Sequence, residues 1–108
     1  MECDLSTKHC VPCHGGVPRL SGAEIEPLLA QLTGWEVGAE HHLSKEYKFE
    51  NFADALSFVN RAGAVAEAEG HHPDIEFGWG YARFKIYTHA IDGLSESDFI
   101  LAARIDAA

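Results

Sequence analysis

Apolar residues recur along this chain in two rhythms, one of three to four residues and one of two, and the switches between them mark its elements. Ile25, Leu28, Leu29 and Leu32 keep helical spacing behind Ser21-Gly22-Ala23-Glu24, which has the form of a capping box. Pro27 falls late for a first turn, so the helix is expected to begin a few residues after Ser21 and to close at Gly34. Trp35 to Val37 and Leu43 to Phe49 then read as strands separated by GAEHH. In the second, Leu43, Lys45, Tyr47 and Phe49 alternate with Ser44, Glu46 and Lys48.

Asn51 opens the longest helical pattern. Phe52, Ala55, Leu56, Val59, Ala62, Gly63 and Ala66 form one apolar stripe, Gly70 is placed to end it, and Pro73 makes further helix costly. Asp74 to Gly78 and Tyr81 to Thr88 follow as strands joined by a tight turn at Gly78-Trp79-Gly80. Ala82, Phe84 and Ile86 face one way, and Arg83, Lys85, Tyr87 and His89 the other. Ser95-Glu96-Ser97-Asp98 starts a last helix that runs through Phe99, Ile100, Ala103 and Ile105. Strands joined by short turns pair antiparallel. The expected class is therefore α+β: a four-stranded antiparallel sheet with three helices packed on one face, in the order helix-strand-strand-helix-strand-strand-helix.

A length of 108 residues fits one domain. Residues 1–20 lack sustained periodicity and carry all three cysteines, so they read as an irregular N-terminal arm before a folded domain at 21–108. With 8 Lys and Arg against 17 Asp and Glu, the formal charge is -9, which repels phosphate backbones and makes nucleic acid a poor partner. No apolar run approaches the ~20 residues needed to cross a bilayer, so no membrane role is expected. The start MECDLSTKHC lacks the basic and apolar regions of a signal peptide, and the expected location is cytoplasmic.

The chemistry concentrates in EGHHPDIEFGWGYARFKIYTH, residues 69–89. His71 and His72 stand just before one strand of a hairpin and His89 just after the other, so pairing of the two strands brings three imidazoles to one edge of the sheet. One imidazole can donate a proton while another accepts one, provided their surroundings differ. Glu67, four residues before His71, shares its helix face and is the expected carboxylate partner of that ring. Three neutral imidazoles can also hold zinc with a position open to water, but adjacent histidines coordinate one ion awkwardly and no HExxH spacing is present. Solvated loop histidines are the plain alternative.

Glu67, His71-His72-Pro73, Trp79, His89 and Asp98 resemble the signature of the pterin-4a-carbinolamine dehydratases. The similarity extends from CVPCHGGVPRL through GW at 34–35 and ENFADALSFVNRAG to GLSESDF. The resemblance implies dehydration of 4a-hydroxytetrahydropterin to quinonoid dihydropterin without metal or redox cofactor. His71, His72 and His89 would be catalytic. Glu67, Pro73, Trp35 and Asp98 would be the residues around the substrate. Trp35 has core packing as its alternative; Asp98 would accept a hydrogen bond from a site histidine, with a helix-capping role as its alternative. Gly70 and Tyr87 stand where animal members carry Asp and Ser.

The resemblance also implies a pterin as the small-molecule partner and a homodimer or homotetramer as the assembly. Animal relatives double as dimerisation partners of a transcription factor, which leaves a non-catalytic module as the rival function and a zinc hydrolase as a third. In the arm, CVPCH fits C-x-x-C-H; haem attachment is set aside for want of an export signal, and Cys3, Cys10 and Cys13 with His9 or His14 make at most half a zinc site. The expectation is a packed arm without metal.

Overall fold

The computed structural model describes residues 19–108, so the expectations for the cysteine arm lie outside the described residues. The elements are α1 (Gly22–Leu29), β1 (Glu36–Gly38), β2 (His42–Lys48), α2 (Phe52–Glu69), β3 (Asp74–Gly78), β4 (Tyr81–Ile86), a 3₁₀ turn (His89–Ile91) and α3 (Glu96–Asp106). The strands form one antiparallel sheet in the order β1-β2-β4-β3. Two hairpins are thus joined through β2 and β4, and β1 and β3 are left as edges.

The helices cover one face, as the alternation of apolar residues requires. Leu43, Ala82, Phe84 and Ile86 point inward from the sheet and are fully buried. Ala55, Phe58, Ala62 and Ala66 of α2 meet them, and Phe99, Leu101, Ala102 and Ile105 leave α3 apolar on nearly every side. A helix of that kind belongs inside, and α3 accordingly packs against α2, α1 and β2. The other face is polar: Arg83 donates through Nε to Glu46 at 2.9 Å and through a terminal nitrogen to Glu76 at 2.6 Å, tying three strands together.

Three boundaries differ from expectation by more than one residue. α1 begins directly after Ser21, because its capping box forms despite Pro27, and it ends at Leu29 rather than at Gly34. β4 stops at Ile86, where Thr88 leaves the ladder to pair with Gly93.

The far end of α3 is pinned by Asp106. Its Oδ1 accepts from Lys45 Nζ at 2.9 Å and from the Tyr47 hydroxyl, and its Oδ2 from Trp35 Nε1 at 3.0 Å. Burial first, then the Asp106 carboxylate, hold the Tyr47 phenol well above its ordinary value of 10.0. A raised folded-state value means that this contribution to stability is intact below pH 10.0 and declines as pH rises beyond it. Urea midpoints measured between about pH 9 and pH 11 are expected to fall in the wild type and to fall less in Tyr47→Phe. Equal losses in both proteins would contradict this.

Candidate active site

The position of His71 is set by the way α2 ends. Gly70 adopts the left-handed conformation (φ +65°), its N–H donates to the Glu67 carbonyl, and the His71 N–H donates to the Ala66 carbonyl at 3.2 Å. These are the two bonds of a Schellman cap, which fixes the direction of the chain on leaving the helix. Pro73 then blocks further helix and Asp74 begins β3, paired with Lys85. Continuing that register beyond the strand puts His71 across from Thr88.

The other half of the site is built where β4 ends. The Thr88 N–H donates to the Gly93 carbonyl at 2.8 Å, and residues 89–91 make a single 3₁₀ turn. Asp92 closes it in the left-handed region (φ +49°), with its N–H donating to the His89 carbonyl at 3.2 Å. His89 therefore rides on a turn beyond the strand and not at the end of an eight-residue strand, because Thr88 spends its backbone bonds on Gly93.

Asp98 joins the two halves. Its side chain is 0% exposed. Oδ1 accepts from His71 Nε2 at 2.6 Å, and Oδ2 accepts from the Thr88 hydroxyl and from the Ser95 N–H, both at 2.8 Å. The capping box Ser95/Asp98 that starts α3 and the contact to a site histidine are thus one carboxylate doing both. Its place in the first turn also sets negative charge at the positive end of the helix. With Nε2 bound to Asp98, the proton-transfer atom left to His71 is Nδ1, and the ring is held in one orientation with its side chain 12% exposed. One carboxyl group separates His71 from Thr88, the residue next to His89.

His72 is the exposed member of the pair. Its Nε2 donates to Glu67 Oε1 at 2.9 Å, with side-chain exposures of 62% and 82%. Glu67 therefore partners His72, whereas its spacing pointed to His71; the Schellman turn carries the chain across the helix end, so the i, i+4 relation does not extend past Gly70. Pro73 is half-buried beside them. Trp35 is not in this group. It is 5% exposed, with its indole bound to Asp106, two turns further along α3 than Asp98, or about 12 Å on at 1.5 Å per residue. Trp79 stands 72% exposed at the β3–β4 turn.

Several neighbours escaped the sequence reading. Thr88 was legible in retrospect: it is a polar residue at the next inward position after Ala82, Phe84 and Ile86. Tyr87 packs its ring on His89 at a centroid distance of 4.2 Å and on His41 at 4.5 Å. His41 Nε2 donates to Asp92 Oδ1 at 2.8 Å, and hydrogen bonding to that ring holds the Asp92 carboxyl below its usual range. His42, whose Nδ1 lies 3.2 Å from that of His41, is held below its ordinary value by burial, then by Lys85 and His41. Among the described residues no group of three or more His, Cys, Asp or Glu is arranged to hold a metal ion, and no helix is long and apolar enough to cross a membrane.

Fold and site together define a small α+β protein whose helices back a four-stranded sheet and whose His71, where its second hairpin opens, is anchored on a buried carboxylate. The family model described as pterin 4 alpha carbinolamine dehydratase matches residues 18–108. A curated protein of Rubrobacter xylanophilus, named as a candidate pterin-4-alpha-carbinolamine dehydratase, is 58% identical over 103 residues, covering 95% of this chain and 96% of that one. One of the same name from Methylococcus capsulatus is 50% identical over 105 residues, covering 96% and 92%. The chain belongs to the pterin 4 alpha carbinolamine dehydratase family.

Two solved structures are similar to it. The crystal structure titled transcriptional coactivator/pterin dehydratase from Brucella melitensis matches with a TM-score of 0.77 at 29% identity, covering 82% of this chain and 96% of that one. A pterin dehydratase-like protein described as a RuBisCO assembly factor in the alpha-carboxysome matches with a TM-score of 0.59 at 30% identity, covering 68% and 87%.

Proposed function

We propose that this protein dehydrates a pterin 4a-carbinolamine by acid–base catalysis at His71, His72 and His89. The observation that carries the reading is the anchoring of His71 on the buried Asp98, one residue from His89 by way of Thr88, in a chain of this family. The reaction breaks the C4a–O bond. The hydroxyl takes a proton and leaves as water with the bonding electron pair, and a proton from the pterin ring passes to a base, leaving the quinonoid dihydropterin. One donor and one acceptor suffice, and positioned groups typically contribute ~10²–10⁴-fold.

In this reading His71 and His89 carry the two proton transfers. His72, held out by Glu67, binds and orients the substrate, with Pro73 beside it. Asp98 acts through His71 by fixing its ring, and Trp35 serves the core. Tetrahydropterin recycling or biosynthesis is the setting such a reaction implies, in the cytoplasm.

The reading is tested by stopped-flow measurement of carbinolamine loss. Purified protein is expected to accelerate the loss well above its spontaneous rate and to keep doing so after treatment with a chelator. Abolition by chelation would point instead to a metal-dependent hydrolase-type site, and no acceleration to a non-catalytic role such as a dimerisation or coactivator module.

A homo-oligomer belongs to the same proposal. β3 is an outer strand, and edges of this kind are commonly covered. Beside it Phe52 stacks on Phe77 with centroids 5.8 Å apart, and Phe52, Leu56 and Trp79 are exposed at 45%, 38% and 72%. Sedimentation velocity is expected to give a dimer or tetramer, with Trp79→Ala shifting the distribution toward the monomer; a monomeric wild type at micromolar concentration would contradict it.

A further inference from the structure

Four aromatic rings run in sequence at the end of the sheet that carries the site. His42 meets His41 with centroids 5.4 Å apart, His41 meets Tyr87 at 4.5 Å, and Tyr87 meets His89 at 4.2 Å. His41 comes from the β1–β2 turn and His42 from the first position of β2, both remote in sequence from the family signature. We infer that His41 is a positioning residue for His89, holding its 3₁₀ turn through Asp92 and its ring through Tyr87. The inference rests on the dehydratase reading for its kinetic consequence alone.

Two independent routes lead from His41 to His89. The first is through the backbone. His41 Nε2 donates to Asp92 Oδ1 at 2.8 Å, and the Asp92 N–H donates to the His89 carbonyl, so the residue that closes the turn is held by its side chain. Asp92 needs holding. It is a non-glycine residue at φ +49° with its side chain 78% exposed, in a backbone region that L-residues other than glycine seldom adopt without support. The second route is through the rings, since Tyr87 touches both histidines and a lost neighbour on one side loosens its packing on the other.

The turn that delivers His41 is itself strained. Ala39 and Glu40 both stand at φ +54°, where glycine or asparagine is usual. Such conformations persist where the surroundings over-determine them, and they gather at functional sites. What over-determines this one is the N–H of His41 bound to the Gly38 carbonyl at 2.8 Å and the side chain bound across to Asp92 and Tyr87. The His41 side chain is only 29% exposed although it lies in a surface turn, and none of its contacts is to His71, His72 or Asp98. Its action on the reaction is therefore indirect. A displacement of about 1 Å at a reacting group can cost as much as ~10²-fold in rate, so a loosened His89 turn is sufficient to register.

The test pairs kinetics with the NMR signal of the His89 ring, assigned by its loss in His89→Ala. In His41→Ala, kcat for carbinolamine loss is expected to fall about tenfold with KM nearly unchanged, because bound substrate keeps His72 but meets a misplaced His89. The His89 Cε1–H resonance, shifted in the wild type by the Tyr87 ring, is expected to move toward the position of free imidazole while the His71 resonance stays in place. His41→Gln, which can still donate to Asp92, is expected to recover part of both effects. A folded His41→Ala protein with wild-type kcat, or one whose kcat falls while the His89 signal stays put, overturns the inference. If His41→Ala does not fold, His41→Phe keeps the ring packing without the Asp92 bond, and the same two readouts decide. Should the wild type prove inactive as a dehydratase, the NMR shift alone still distinguishes a held His89 from a free one.

Discussion

Replacing Asp98 by alanine is expected to lower the unfolding free energy by about 3–5 kcal/mol, the range found when one member of a buried hydrogen-bonded charged group is removed. The size follows from what the carboxylate holds. His71 Nε2, the Thr88 hydroxyl and the Ser95 N–H all donate to it at 2.6–2.8 Å, and it is sealed from water. Loss of the side chain removes the half of the α3 capping box that accepts from the Ser95 N–H and leaves His71 and the Thr88 hydroxyl without their shared carboxylate, each lost bond costing about 1–3 kcal/mol when buried. Because a domain of this size holds only ~5–15 kcal/mol in all, the variant should sit near the edge of folding. Asp98→Asn keeps the shape and one acceptor oxygen and should lie between. Urea denaturation of the three proteins checks the order, and a loss below about 1 kcal/mol in Asp98→Ala would mean that the carboxylate is not the junction described.

The second large effect is on rate. The dehydratase reading predicts that His71→Ala and His89→Ala each slow turnover by at least about tenfold and by as much as ~10⁴-fold, the span over which positioned acids and bases act. The two should differ in stability. His71 is nearly enclosed and bonded to Asp98, so its removal leaves a buried acceptor partly unfilled, while His89 lies on an exposed turn with its ring against Tyr87. Thermal melts should therefore separate a variant that is both slower and weaker from one that is slower alone. His72→Ala, which removes an exposed ring paired to an exposed Glu67, should raise KM more than it lowers kcat.

Most of the frame was legible because its signals are local. The capping boxes at Ser21 and Ser95, Gly70 after the α2 stripe and Gly80 in the β3–β4 turn each have one conformation that suits them, and each adopts it. Periodicity told which side of β2 and β4 enters the core. The antiparallel pairing of β3 with β4 was legible too, and its register, continued, sets His71 across from Thr88.

What escaped depends on distant segments. Asp98 offered either a cap or a hydrogen bond to a site histidine, and it makes both; that one carboxylate serves the two at once is settled by how α3 packs under the sheet. Glu67 was assigned to the wrong histidine because helical spacing was carried one residue past the glycine that ends it. Trp35 gives no hint in its own neighbourhood of a hydrogen bond to Asp106, 71 positions away. His41 and Asp92 lie in two turns whose left-handed backbones went unread: Ala39-Glu40 carries no turn residue, and the Asp-Gly pair at 92–93, which is such a signal, was not used.

The central claim is that His71, anchored on Asp98, and His89, next to Thr88, remove water from a pterin carbinolamine. It is tested most directly by single-turnover stopped-flow traces for the wild type, His71→Ala and His89→Ala, each confirmed folded by circular dichroism. The account predicts rapid loss of carbinolamine with the wild type and traces approaching the spontaneous rate with both variants. Wild-type traces from both folded variants would contradict it.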